Sequence, residues 1–120
     1  MTNQLNLSPY EVHQIAKRVK TWTSEIPDSY YGYLENIPSI DLRVFMKCSY
    51  FENSKPSIVS IVVESGSGNS KAIIGVISRS KDPDDLKLYQ HVGDIYKQTI
   101  EENKAKSREA GLKKARELLG

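Results

Sequence analysis

The stretch "SIDLRVFMKCSYFE", residues 39–52, decides the fold of this 120-residue chain. Apolar side chains take every second position in it: Ile40, Leu42, Val44, Met46, Cys48 and Tyr50. Successive side chains of a strand point to opposite faces of a sheet, so this period of two predicts a strand with one core face and one mostly polar face.

Two further apolar runs follow the first strand, "SIVSIVVE" at 57–64 and "KAIIGVIS" at 71–78. The short connections between the three runs favour an antiparallel meander. Both later runs are apolar on both faces, and a strand of that kind needs cover on both sides. The sequence therefore predicts either helices on opposite faces of the sheet or a dimer that shares the sheet.

A helix is predicted on each side of the meander. Ser8, Pro9 and Glu11 form a capping box with proline at the first helical position. Apolar residues then recur at helical period as far as Ile26, and Pro27 ends this helix near residue 25. The connector that follows, "PDSYYGYLENIP" at 27–38, is predicted to be a loop.

The last helix begins with Asp82 as its cap and Pro83 at its first position. Its apolar stripe stops at Ile100, and a short second stripe follows a polar spacer. Residues 82–102 hold six acids and two bases, whereas residues 103–120 hold six bases and two acids. We predict a single α+β domain over residues 1–120, with an αβββα order and a protruding basic extension at 103–120. Whether the helix kinks at Gly111 is left open by the sequence.

The composition of the chain limits the classes of function that we expect for it. The net charge of +2 creates no general demand for a polyanion. The single cysteine, Cys48, permits neither an intramolecular disulfide nor a cysteine zinc cluster. The N-terminal residues lack the pattern of a secretory signal, and no apolar stretch is long enough to span a bilayer. We expect a cytoplasmic protein.

Catalytic and ligand-binding motifs are weak. "SGSGNS" at 65–70 has the glycines of a phosphate loop, but a strand follows it where a helix would be needed, so a hairpin loop is predicted. His13 and His91 lack metal-ligand spacing, and the alternation places Cys48 in the core. No nucleophile–base pair is visible. We expect no enzyme, no metal and no cofactor; a small hydrolase would require a pocket in which carboxylates or histidines converge.

Two groups of residues are candidate partner-binding surfaces. Tyrosine and tryptophan are favoured at interfaces. The predicted partner-binding residues are Trp22, Tyr30, Tyr31, Tyr33, Leu112, Ala115 and Leu119. A loop that folds its rings over the core, or base stacking, remains open for the tyrosines. The prediction is a small non-enzymatic binding or regulatory module that acts through protein contact, with another protein or as a homo-oligomer. By analogy, it could be an accessory or inhibitor protein of a mobile element.

Nucleic-acid binding by the basic extension is the alternative hypothesis. It would use Lys104, Lys106, Arg108, Lys113, Lys114 and Arg116. The predicted order of elements resembles that of double-stranded-RNA-binding domains in topology only. That family places phosphate-binding lysines at the start of its second helix, where this chain reads "SKDPDDLK". No family is assigned.

Overall fold

The computed structural model describes residues 6–34, 41–66 and 70–120. Its elements in chain order are α1 (Pro9–Lys17), β1 (Ser29–Tyr33), β2 (Leu42–Glu52), β3 (Lys55–Ser65), β4 (Ala72–Ser80) and α2 (Pro83–Leu119). The strands form one antiparallel sheet in the order β1-β2-β3-β4. The α+β class and the meander are confirmed. The three-stranded αβββα layout is wrong, because the sheet has four strands. For the same reason, the order of elements does not match the topology of double-stranded-RNA-binding domains.

The additional strand, β1, lies in the stretch that was predicted to be a loop. It has five residues with Gly32 among them, so neither its length nor its apolar pattern marks it as a strand. Tyr31 pairs with Phe45 on β2, and a Cβ on Gly32 would overlap Val19 and the Thr21 carbonyl. The strand therefore depends on a partner strand and a close contact that local sequence does not show. Residues 35–40, which include part of the predicted loop and Ile40, lie outside the described residues.

Helix α1 is shorter than predicted. Its capping box is present, with the Ser8 N–H donating to Glu11 Oε1 and the Glu11 N–H donating to Ser8 Oγ. The helix ends at Lys17 instead of near residue 25. Trp22 is buried, but in an extended segment in which Thr23 exchanges two 2.8 Å backbone hydrogen bonds with Tyr31. The apolar period predicted the burial of Val19 and Trp22, but Ile26 at its end is 61% exposed. Pairing of Thr23 with the sheet edge replaced the predicted helix in this segment.

Both helices pack on the same face of the sheet. In the core, Val12 of α1 and Val92 of α2 pack with alternate residues of the strands, such as Met46 and Ile61. Gly75 of β4 brings α1 close, since a Cβ there would lie 2.6 Å from a methyl carbon of Val12. The prediction of helices on opposite faces is therefore wrong, and a dimer that covers the other face stays a prediction.

The edges of the sheet are partly covered by irregular chain. Leu7 pairs with β4, where its N–H donates to the Ile74 carbonyl at 2.6 Å, and Thr23 pairs with β1. Such cover limits edge-to-edge pairing between chains. The sheet face that the helices leave uncovered, more than the edges, is therefore available to other molecules.

Helix α2 runs without interruption through Gly111. All residues from 101 onward are exposed, and we call residues 101–119 the tail. The principal extents of 74 × 42 × 22 Å reflect this projection. Within the described ranges, neither helix combines the length and apolar content that crossing a bilayer would need.

Candidate protein-binding surfaces

The sheet face opposite the helices carries apolar residues from all four strands. Tyr31, Phe45, Val62 and Val76 are register neighbours and form one row across the sheet. A second row runs alongside and contains Tyr33, Arg43, Glu64 and Ile73. We call these two rows the open face.

Parts of the open face are well exposed to solvent. The exposed fraction is 52% for Tyr33, 59% for Ile73 and 42% for Val76. No element of the described chain packs over these residues. Single exposed apolar residues are common, but a connected set on one sheet face is a feature of interaction surfaces.

One corner of the open face is held in a defined geometry. The guanidinium carbon of Arg43 lies 4.6 Å from the centre of the Tyr31 ring, and Tyr33 meets the same ring edge-on with centroids 6.4 Å apart. The Tyr31 hydroxyl donates to Glu25 Oε1 at 2.7 Å, and this hydrogen bond raises the pKa of Tyr31. A ring fixed in this way loses little conformational entropy when a partner covers it.

The charges of the open face are few and opposite in sign. Arg43 and Glu64 are register partners on β2 and β3, yet no ion pair joins them among the contacts of the described chain. The Nε atom of Arg43 is buried and has no hydrogen-bond acceptor within the described residues. A guanidinium can contact a carboxylate through two parallel hydrogen bonds, and Arg43 is half-buried with no ion-pair partner among the described residues.

The structure separates the four aromatic residues that the sequence grouped together. Tyr31 and Tyr33 lie on the open face, as described above. Trp22 is only 2% exposed and belongs to the core. Tyr30 points to the helix side, where its ring lies 5.5 Å from those of Tyr89 and Tyr96, and burial raises its pKa. Alternation along β1 is the reason for this division.

The three apolar tail residues predicted to bind a partner lie on one side of a continuous, exposed helix. Leu112, Ala115 and Leu119 follow at intervals of three and four residues, which is the spacing of a single helix face. Leu112 is 45% exposed and Leu119 is 87% exposed. Helices in proteins are stabilised mainly by packing an apolar face, and this stripe has no packing partner within the described chain.

All six basic residues of the nucleic-acid hypothesis are exposed in the tail: Lys104, Lys106, Arg108, Lys113, Lys114 and Arg116. At 100° per residue they are distributed around the helix and do not form one stripe. A distributed charge gives a helix no preferred side toward a phosphate backbone.

A groove of about 820 Å³ separates α1 from α2 on the helix side of the sheet. Ile77 and Val92 contribute to its floor, and Tyr10 lies at its mouth. Asp82 and Asp84 line the end where α2 begins, while lysines line other parts of the rim. Two other grooves on the described residues are smaller, at about 720 Å³ and 530 Å³.

His13 and Asp85 are joined in the wall of the groove. Asp85 accepts a 2.8 Å hydrogen bond from His13 Nδ1 and a 2.6 Å hydrogen bond from the Ser80 hydroxyl. His91 lines the same groove, whereas the carboxylates considered for a hydrolase, Asp41 and Glu64, lie elsewhere. No group of three metal-binding side chains converges within the described ranges.

Two further sequence predictions concern Cys48 and the glycine-rich loop. Cys48 is a free, buried thiol that donates to the Tyr50 carbonyl at 3.1 Å, as the alternation predicted for a core residue. Gly66 has a φ of 96° at the end of β3, and β4 follows, so "SGSGNS" connects two antiparallel strands. Residues 67–69 lie outside the described residues.

No family model matches the chain, and neither the curated proteins nor the solved structures include a match to it. The assignment of function therefore depends on the surfaces themselves.

Sequence reasoning missed most of the open face. It identified Tyr31 and Tyr33 but not the two rows to which they belong or the position of Arg43. The signal was present, since the runs that became β3 and β4 were apolar on both faces and were predicted to need cover on both. The sequence could not show that both helices pack on the same face of the sheet.

Proposed function

We propose that this protein is a small non-enzymatic binding module that acts through protein contact, and that the open face is the surface it uses. A single observation carries the proposal: both helices cover one face of the sheet, while the other face presents a connected apolar row from all four strands. A regulatory or inhibitory role in the cytoplasm is part of the same proposal.

The partner we propose is a protein that offers an apolar patch with a carboxylate at its side. The apolar patch would cover Phe45, Val62 and Val76, and the carboxylate would reach the guanidinium of Arg43. With one arginine and one glutamate in its two rows, the open face has little net charge, which favours a protein over a polyanion. The fixed Tyr31 ring adds rigid contact area, a property of interface hot spots.

Site-specific photocrosslinking tests the proposal. Benzoylphenylalanine at Val76 would be irradiated in an extract of the source cells, with the same probe at Gln90, an exposed residue of α2 outside the groove, as the control. A protein captured from Val76 alone would be purified and its Kd measured by calorimetry. We expect Ile73→Asp to raise that Kd at least tenfold, because it places a charge in an apolar contact.

A matched substitution separates this surface from the tail. Leu118→Asp makes the same apolar-to-acid change at a residue that is 83% exposed on the tail, and it should leave the Kd unchanged. Arg43→Gln should weaken binding by the loss of the charge-assisted contact. Equal capture from both probe positions, or an unchanged Kd for Ile73→Asp, would show that the open face is not the binding surface.

A further inference from the structure

The tail cannot pack on its own domain. Helix α2 is continuous from Pro83 to Leu119, so the tail must follow the axis set by the packed half of the helix. At 1.5 Å per residue it projects roughly 28 Å beyond Ile100, the last half-buried residue of α2. Whatever covers the tail stripe therefore comes from another molecule.

The tail joins an apolar stripe to a strong positive charge. On the helix, Arg108 and Arg116 lie four residues before and four residues after Leu112, so these two cations flank the stripe. Two tails packed against each other would bring these cations together, and like charges at close range oppose association. The chemistry of the tail therefore favours a concave partner surface with apolar walls and acidic groups.

The groove between α1 and α2 combines apolar walls with the acidic residues Asp82 and Asp84, and Lys17 and Lys87 also line it. It has an apolar floor and the aromatic ring of Tyr10 at its mouth, and Asp82 and Asp84 lie at one end. An amphipathic helix with anchors at i, i+3 and i+7 fits such a groove by a recurrent mode of recognition. Glu109, which lies beside the tail stripe, offers an opposite charge to the lysines of the rim.

We propose that the tail of one copy docks in the groove of a second copy, and that the exchange is reciprocal about a two-fold axis. Charge complementarity within α2 supports a second copy as the occupant. Residues 82–102 hold six acids and two bases, whereas residues 103–120 hold six bases and two acids. An antiparallel approach of two α2 helices brings unlike halves together. Two-fold exchange of this kind is self-complementary and closes at the dimer.

The dimer is independent of the proposed function, because the groove and the open face lie on opposite sides of the sheet. An exchange through α2 leaves both open faces uncovered. The assembly would then present two equivalent binding surfaces, and paired sites raise the apparent affinity for a partner that can reach both.

Light scattering on a size-exclusion column measures the mass of the full chain and of two variants with single substitutions. We expect a dimer for the natural chain. Leu112→Asp should raise the dimer dissociation constant at least tenfold, because it places a charge in an apolar contact. Ala110→Asp adds the same charge on the other side of the tail helix and should leave the dimer intact. A natural chain that is monomeric, or a dimer that survives Leu112→Asp, overturns the proposal.

A charge exchange provides the sharper test. One variant carries Arg108→Glu and Arg116→Glu in the tail, and a second carries Gln14→Lys and Asp84→Lys in the groove. Each should dimerise at least tenfold more weakly alone, while the equimolar mixture should regain dimer, which native mass spectrometry identifies as the mixed species. Failure of the mixture to recover overturns the docking. A monomer that instead binds duplex RNA or DNA with a steep salt dependence would favour the nucleic-acid alternative.

Failure of the two proposals can be distinguished. Ile73→Asp changes the open face and leaves the groove and tail intact. Its expected effect is on partner affinity, whereas the mass of the protein in solution should not change.

Discussion

The Nδ1–H of His13 donates to Oδ1 of Asp85 over 2.8 Å, which ties the first helix to a residue 72 positions later in the chain. Asp85 is only 8% exposed and also accepts from the hydroxyl of Ser80. The carboxylate thus joins α1, the end of β4 and the first turn of α2. A buried carboxylate with two donors is well satisfied, and the loss of either donor leaves part of its desolvation uncompensated.

Replacement of His13 by alanine should therefore destabilise the protein. We expect the free energy of unfolding to fall by about 2–3 kcal/mol, because the Asp85 carboxylate stays buried with one donor fewer. Urea denaturation followed by circular dichroism measures the change. The control is His91→Ala, whose side chain is exposed and which should alter the free energy by less than about 0.5 kcal/mol. Equal effects at the two histidines would contradict the role assigned to Asp85.

Two glycines should respond to alanine with opposite signs. A Cβ on Gly75 would lie 2.6 Å from Val12 and 2.9 Å from Leu7, whereas a Cβ on Gly111 would meet nothing within 4 Å. We expect Gly75→Ala to lower the free energy of unfolding by about 1–3 kcal/mol through overpacking. Gly111→Ala should raise tail helicity, with a gain of up to about 1 kcal/mol in local helix stability. Thermal denaturation and far-ultraviolet circular dichroism measure the two effects, and a stabilised Gly75→Ala variant would refute the close packing of α1 on β4.

Two leucines on the same helix should differ sharply in their contribution to stability. Leu88 is buried between α2 and the sheet, and Leu118 is 83% exposed. Leu88→Ala should cost about 2–4 kcal/mol of unfolding free energy because it leaves a cavity. The same change at Leu118 should cost less than about 0.5 kcal/mol. These values apply at concentrations at which the protein is monomeric. A large loss for Leu118→Ala under those conditions would mean that the tail packs on its own domain.

Stability should fall in alkaline solution, with Tyr89 as one cause. Burial raises the pKa of Tyr89 above the ordinary tyrosine value of 10.0. Above pH 10 the unfolded chain releases the phenol proton while the folded chain retains it, so the folded state binds more protons and loses stability as the pH rises. One such tyrosine contributes up to about 1.4 kcal/mol per pH unit.

Tyr89→Phe tests this linkage. The variant loses the hydrogen bond from the Tyr89 hydroxyl to the Asp28 carbonyl, 2.9 Å in length, and should be less stable by about 1 kcal/mol near neutral pH. Between pH 9 and about 11 its unfolding free energy should decline less steeply than that of the natural chain. The same change at the exposed Tyr10 is the control. Parallel declines for Tyr89→Phe and the natural chain would exclude Tyr89 as the cause.

Local patterns in the sequence were sufficient for much of the fold. The period of two from Leu42 to Cys48, the capping box at Ser8 and the Asp82–Pro83 helix start depend on neighbouring residues, and the structure contains all three. The apolar stripes also predicted the burial of Val12, Tyr89 and Val92, although Ile26 is exposed and the buried Asp85 was not predicted. The candidate tail was visible for the same reason, since its stripe and charges lie within a single helix.

The tertiary structure alone decided the rest. β1 is a strand because Gly32 allows close contact with Val19 and because β2 supplies the hydrogen bonds. Val19 and β2 are distant from β1 in the sequence, so both contacts depend on the final packing. The same packing turned Tyr30 toward the core and Tyr31 toward solvent. The sequence by itself determined that the later strands have two apolar faces, since that is a property of adjacent residues. Which face the helices cover depends on how α1 and α2 pack together, and only the folded chain decides that the face bearing Phe45 and Val62 remains open.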